Sequence, residues 1–433
     1  MSAKKVLIIT YYWPPAGGPG VQRWLKFVKY LPDFDIEPIV YCPEKPNYPL
    51  VDEALNNEVS DKITILKQPI FEPYQLASIF SKKKTKAIAS GIISSKKQSL
   101  VERLLLFIRG NFFIPDARKF WVKPSVKFLT KYIKEHQIGT IITTGPPHSL
   151  HLIGLQLKEQ LNVNWVADFR DPWTTIGYHS KMKLTSSSQQ KHKELEKKVL
   201  QLADEIIVTS PTTMKEFEQI TQQPISVITN GFDDVTLDKI ELDSKFTLAH
   251  IGSLLTGRNP EVLWQVLSEL ITEYPDFKAA FELKLIGAVS DDVIDSIKQF
   301  DLENHLSLLG YMPHKDAQVQ QRQSQMLLLV EIDSPETKCI IPGKLFEYMQ
   351  SHRPIMAFGP EDSDFKSILT QTNTGSFYSY RQSEHDAIKT ILLSCFKAYQ
   401  QNDLKVSGIG IQNYHRKQLT QNLVTVLKPL LKP

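Results

Sequence analysis

Short β-rich apolar runs alternate with stretches in helical spacing along nearly the whole chain. That alternation predicts an α/β protein with parallel sheets. In the first half the predicted strands are 6–10, 37–41, 140–144, 164–169, 205–209 and 225–228. Val21, Trp24, Leu25, Val28 and Leu31 recur at helical spacing and predict a helix over 20–31. In the second half the pattern predicts strands over 246–251, 281–286, 306–309, 325–332 and 354–358. Helices are predicted over 260–273, 291–300 and 343–351, then over 383–399 and 412–431. No fixed-period repeat is visible, and the pattern breaks near 233–244. Two Rossmann-like domains in series account for it: 1–235, carrying a basic and apolar excursion at about 72–135, and 245–411. The final helix, 412–433, is expected to pack back on the first domain.

Length agrees, since 433 residues exceed one ordinary core. Three separated cysteines, Cys42, Cys339 and Cys395, fit a reducing compartment better than a disulfide framework. No apolar run approaches the roughly 20 residues needed to cross a bilayer. The apolar run at 6–10 is short and reads as a first buried strand, not a signal peptide. A cytoplasmic protein is expected. Net charge is +4, but its distribution is uneven. Between Lys82 and Lys134 stand fourteen Lys or Arg against two acids, Glu102 and Asp116, mixed with Leu104, Phe107, Phe112, Phe113 and Trp121. This segment reads either as contact with the inner face of a membrane or as a helical excursion with solvated lysines. Nucleic acid is not expected, because no nucleic-acid module surrounds the patch.

Five motifs carry candidate chemistry. The run from Thr10 to Arg23, with Gly17, Gly18 and Gly20, joins the first strand to the first helix, where α/β domains bind ligands. It is not the dinucleotide glycine pattern, and no acid closes the second strand, which disfavours a dehydrogenase. The second motif, 227–233, contains Asn230-Gly231, by itself a turn signal. In the third, 249–260, Gly252 and Ser253 can offer backbone N–H groups to a pyrophosphate that Arg258 neutralises. In the fourth, Pro342 to Gln350, Lys344 and Glu347 share a helix face while Leu345 and Met349 point to a core. A cation at a helix start has the dipole against it unless an anion joins it. A phosphate at Lys344 and a ribose at Glu347 satisfy both; an exposed ion pair is the plainer alternative. The fifth, Trp165 to Trp173, ends a buried strand in Arg170 and Asp171, with His148 ending a neighbouring strand. Asp168 or Asp171 capping the next segment is the plainer alternative there. His148 and His151 lack an evident third metal ligand.

With these motifs in place, the chain resembles the retaining GT-B glycosyltransferases of family 4, the group 1 transferases of bacterial polysaccharide and glycolipid synthesis. Gly17-Gly18 resembles the family's N-terminal glycine loop, 229–233 its Pro-Asn-Gly-Val-Asp, and 310–314 its Gly-x-Val-Pro turn near the base, where Tyr311 stands. Lys344 to Ala357 resembles the end of the donor motif, with Glu347 as its second, ribose-binding glutamate. Cys339 stands where the family has the first glutamate, a departure at a position that contacts the transferred sugar. Pro342-Gly-Lys-Leu-Phe-Glu347 is similar to a Pro-x-Lys-x-x-Glu version of the motif. Ser253 replaces the usual arginine after the glycine, and Arg258 stands for the lysine. Arg170-Asp171 resembles the His-Asp of the first domain.

The resemblance implies two Rossmann-like domains facing across a cleft and sugar transfer from a nucleoside-diphosphate donor to a glycan or lipid-linked hydroxyl. The implied donor residues are Gly17, Gly18, Gly252, Ser253, Arg258, Tyr311, Lys344, Leu345 and Glu347. His148, Arg170 and Asp171 are the acceptor side, with Asp171, Arg258 and Lys344 catalytic. No cofactor or metal is expected beyond the nucleotide-sugar co-substrate; Asp33-Phe-Asp35 and Asp362-Ser-Asp364 lie in apparent loops and read as chance. A nucleotide-sugar epimerase and a non-catalytic sugar-nucleotide-binding protein are the rival expectations.

Overall fold

A computed structural model of the chain describes residues 4–73, 100–180, 182–235 and 240–431. The chain divides into two compact units, Met1–Asn230 with Arg416–Pro433, and Gly231–His415. The first crossing falls inside the Asn-Gly motif. On one side of it the Thr229 carbonyl accepts from Arg23 at 2.8 Å. On the other, the Phe232 N–H donates to the Tyr414 carbonyl at 3.1 Å.

Unit 1 is built on seven parallel strands, β1 (Lys4–Ile9), β2 (Ile36–Glu44), β3 (Thr64–Pro69), β4 (Thr140–Gly145), β5 (Asn164–Phe169), β6 (Glu205–Val208) and β7 (Ile225–Val227). Their order is β3-β2-β1-β4-β5-β6-β7. The strands read as continuous apolar runs because both faces are covered. Leu7, Ile9, Ile141 and Trp165 pack against helices Lys119–Glu135 and Ser149–Gln160. Their neighbours Val6, Ile8, Ile142 and Val166 pack the opposite way, against Trp24 and Val28 of helix Pro19–Tyr30. Leu419, Leu423 and Leu427 of helix Arg416–Leu427 close that second layer.

Unit 2 carries six parallel strands, β8 (Phe246–Ile251), β9 (Phe281–Ile286), β10 (Leu306–Gly310), β11 (Met326–Val330), β12 (Ile355–Phe358) and β13 (Gly375–Tyr378). The order β10-β9-β8-β11-β12-β13 reverses direction of travel at β8 and β11. Ligands of such sheets gather at the carboxyl ends of the strands at that reversal. Alternate residues again serve two cores. Leu248, Leu283 and Leu328 face helices Glu261–Glu273 and His385–Gln400. Ala249, Leu327 and Ala357 face the short helix Lys344–Gln350 and helix Asp364–Thr372.

The predicted strands are found within a residue or two, except that 37–41 extends to Glu44 in β2. Two edge strands, β3 and β13, were not legible, since edges lack the doubly buried pattern; β3 mixes exposed and half-buried positions with none buried. Helix His314–Gln323 escaped for a related reason: only Ala317 and Gln321 are buried. The predicted helix over 412–431 is interrupted, its regular part being Arg416–Leu427. Of the basic stretch 82–134, residues up to 99 lie outside the described residues, and the rest forms helices Leu100–Phe112 and Lys119–Glu135.

Candidate functional site

In unit 2 the reversal point places a compact charged group. β8 runs into Gly252, whose φ of +124° favours glycine. Gly252 donates its N–H to the Ile286 carbonyl at 2.6 Å. Gly287, also at positive φ, leaves room for that backbone, since a Cβ there would stand 2.5 Å from the Gly252 oxygen. The bare α-carbon of Gly252 is covered by Lys344, and a Cβ would come within 2.7 Å of Cε. The motifs around 252 and 344, ninety-two residues apart in sequence, therefore meet at one point.

Lys344 is held there by its helix. Leu345, Phe346, Tyr348 and Met349 are buried, and the Tyr348 hydroxyl accepts the Ile251 N–H at 2.9 Å. Burial and then the positive charge of Arg258 lower the Lys344 amine to about 8, against the pull of Glu331 and Glu347. Arg258 donates to Glu331 at 2.8 Å through Nη2 and 3.3 Å through Nε. Glu331 is buried just beyond β11 and also accepts the Ile332 N–H at 2.8 Å. Arg258 thus holds the buried carboxylate, and the buried Lys344 amine, with no ion pair of its own to it, stands ready for an anionic visitor. His250, inside β8, is kept neutral by burial and then by Lys344; its Nδ1 lies 3.0 Å from the Leu328 carbonyl.

Glu347 lies one turn beyond Lys344. Its two oxygens pair with His314 Nε2 at 3.1 Å and Gln321 Nε2 at 3.0 Å. Tyr311, after Gly310 at the end of β10, is 86% exposed. Leu345 sits in the apolar core, and its N–H already donates to the Pro342 carbonyl at 2.9 Å, so it offers no polar group outward. Ser253 follows Gly252 in the loop and is exposed. Cys339 is buried, its Sγ 3.9 Å from the Glu336 carbonyl. Glu331, Gln321 and His314 had escaped the sequence reading. The signal for Glu331 was present, an acid directly after the apolar run Met326–Val330, but extending that strand to 332 absorbed it.

In unit 1, the glycines after β1 serve the chain's own packing. Gly17 donates to the Leu50 carbonyl at 2.9 Å, and a Cβ on it would come 2.9 Å from the Leu50 side chain. A Cβ on Gly20 would collide with the Arg170 guanidinium. Room for a ligand at those two residues is therefore already used, and Gly18, at φ +93°, is the more open one. Arg170 lies over the Tyr12 ring at 5.5 Å and donates to the Pro146 carbonyl. Asp171, beside it, is half-buried, and burial raises its carboxyl against the pull of Arg170.

Two expectations change here. Asp168 does not cap the following segment. It is fully buried at the end of β5, accepting from Arg23 at 2.8 Å, Trp24 at 2.7 Å and Thr144 at 2.7 Å. His148 is not open to a ligand either: it is buried, stacked on Trp173 at 4.8 Å, and held neutral by burial and by the nearby His151. It forms part of the wall behind Arg170 and Asp171. Among the described residues, no group of His, Cys, Asp and Glu is placed to hold a metal ion. No described helix is long and apolar enough to cross a membrane.

No protein-family model matches the chain, and comparison with curated protein sequences also gives no match. Solved structures do match over the full length. Sucrose-phosphate synthase from Thermosynechococcus elongatus aligns at TM-score 0.61 and 13% identity, covering 99% of each chain. HepE of Anabaena, solved with UDP and glucose, aligns at 0.58 and 14%, covering 99% of this chain and 100% of its own. A proposed UDP-N-acetylglucosamine 2-epimerase from Listeria monocytogenes aligns at 0.54 and 11%, covering 98% and 95%. The fold is GT-B. At these identities the likeness speaks to architecture, and transferases and an epimerase share it, so the chemistry must be argued from the residues.

Proposed function

We propose that the chain is a retaining, metal-independent glycosyltransferase that takes a sugar from a nucleoside-diphosphate donor bound in unit 2. The observation that carries the reading is the meeting of Lys344 and the Gly252 loop, beside the Arg258–Glu331 pair, at the carboxyl ends of β8 and β11. In this reading the diphosphate lies against Gly252, Ser253, Arg258 and Lys344, and the ribose hydroxyls donate to Glu347. The exposed Tyr311 ring stacks near the base. As the bond from the anomeric carbon to the phosphate oxygen breaks, its electron pair stays on the diphosphate, where Lys344 and Arg258 stabilise it. The acceptor hydroxyl attacks from the same face and passes its proton to the leaving phosphate. Catalysis rests on positioning and electrostatics, with Gly18, Arg170 and Asp171 of unit 1 on the acceptor side. A glycan or lipid-linked acceptor of cell-surface polysaccharide synthesis in the cytoplasm fits the resemblance noted above.

A panel of nucleotide sugars with and without acceptors, followed by proton NMR, tests the reading. Transfer or slow hydrolysis, with release of nucleoside diphosphate, is expected. A C2-epimerised nucleotide sugar would assign the epimerase reaction instead, and binding without turnover a non-catalytic protein. Glu347→Gln is expected to weaken nucleoside-diphosphate binding about tenfold, the loss of charge-assisted hydrogen bonds to ribose. Calorimetric titration measures it, and binding of inorganic pyrophosphate should be unaffected.

A further inference from the structure

Among the described residues, a group of exposed apolar side chains in unit 1 is not used by the site described above. Phe112 is 64% exposed, Leu104 58%, Phe71 55% and Phe120 43%. The phenylalanines are not scattered singly. The Phe120 ring meets Phe71 edge-on at 5.8 Å and Phe113 at 6.1 Å. The Lys119 ammonium lies 5.6 Å from the Phe113 ring centre and 5.3 Å from that of Phe120, and donates to the Phe112 carbonyl at 2.6 Å. Exposed rings in contact with one another make a contiguous apolar patch, which marks a contact surface as an isolated surface Phe does not.

The charge beside these rings is basic, and it stays mainly basic along the helix until Glu135, which lines the same surface as Lys127 and Lys131 at the far end. Lys119, Lys123, Lys127 and Lys131 recur every fourth residue along helix Lys119–Glu135, so they form one stripe that starts at the aromatic patch. The two acids next to the rings are used inside the fold: Glu72 binds Arg118 at 3.3 Å, and Asp116 accepts the Ser149 N–H at 2.9 Å. The stripe is therefore uncompensated by them. We propose that this face docks on the surface of an anionic lipid bilayer. The rings enter the boundary between headgroups and acyl chains, and the lysine stems lie along the patch with their ammonium groups on lipid phosphates. A basic face alone would suit any polyanion. The protruding phenylalanines at its end need an apolar phase as well, and a bilayer interface supplies both.

Sedimentation of the full chain with vesicles tests this directly. Vesicles of phosphatidylcholine with about a quarter phosphatidylglycerol are expected to bind at least about tenfold more protein than phosphatidylcholine alone, and less as salt rises. Phe112→Ser with Phe120→Ser should lower binding about tenfold, and Lys123→Glu with Lys127→Glu should abolish the preference for anionic lipid. Nucleoside-diphosphate affinity should not change in either variant, which separates this proposal from the transferase reading. Phe112→Trp is expected to add an emission component that brominated lipid quenches. The proposal is overturned if anionic vesicles do not bind, if the variants bind equally, or if brominated lipid leaves the added emission of the Phe112→Trp variant unaffected. Loss of a dimer in the Phe variants, with no vesicle binding, would assign the face to a second copy. Binding of RNA without vesicles would assign it to nucleic acid.

Discussion

Lys344→Ala lowers kcat/KM for the nucleotide sugar by about 10²–10³-fold, the usual loss when one preorganised stabiliser of leaving-group charge is removed. The reasoning starts from the buried amine, lowered to about 8 by burial and then by Arg258. Below pH 8 it is charged and attracts the diphosphate; as pH rises through about 8 the free protein loses that charge and donor affinity falls. In Lys344→Met this limb of the pH profile disappears. Stability moves the opposite way. A lysine with a lowered folded pKa opposes folding while charged, and stability rises with pH between about 8 and the unfolded value of about 10.4. Lys344→Met is therefore expected to melt higher at pH 7, by about 2–4 °C for each 1 kcal/mol relieved. A variant more stable yet unable to bind donor marks a functional rather than structural lysine. Calorimetry on the apo protein and binding titrations across pH read both effects.

Asp168→Ala is expected to destabilise unit 1 by about 3–5 kcal/mol, because it leaves the buried Arg23 guanidinium without its carboxylate. Three donors converge on that carboxylate from helix Pro19–Tyr30 and β4, so the substitution uncouples the first helix from the sheet. Burial raises the Asp168 pKa, but the Arg23 charge and hydrogen bonds from Arg23, Thr144 and Trp24 outweigh it and leave it lowered. Its contribution is complete above the unfolded carboxyl pKa of about 3.9 and is lost as pH falls through the lower folded value. Urea unfolding at pH 7 should show a unit 1 transition at lower denaturant and a unit 2 transition unmoved. Equal shifts of both would contradict the assignment.

Much of the architecture was legible because parallel strands buried on both faces write themselves as continuous apolar runs. β5 and β8 were read to the residue on that ground, and β9, whose Glu282 and Lys284 alternate with apolar residues, was too. What escaped had a weaker pattern: β3 at an edge, and helix His314–Gln323, which buries little. The donor-side candidates were legible as separate motifs, since a glycine at a strand end and a lysine opening a helix are unusual enough to stand out. Their meeting was not, because nothing local in 252 or 344 encodes ninety-two residues of intervening topology. Partners were harder still. Arg258 reads in sequence as a loop cation, and only the fold brings it to Glu331. Asp168 and Asp171 look equivalent in sequence, three residues apart, yet one is locked in an internal ion pair and the other stays half-buried beside Arg170. His148 likewise reads as a strand-end functional group until Trp173 is seen to cover it.

The placement of the donor is most directly measured by an experimental structure of the full chain with a bound nucleoside diphosphate. The diphosphate is expected against Lys344 and Gly252, with Arg258 turned toward it and the ribose hydroxyls within hydrogen-bond distance of Glu347. A nucleotide whose phosphates lie in unit 1 at Gly17 and Gly18, with Lys344 untouched, would contradict the account.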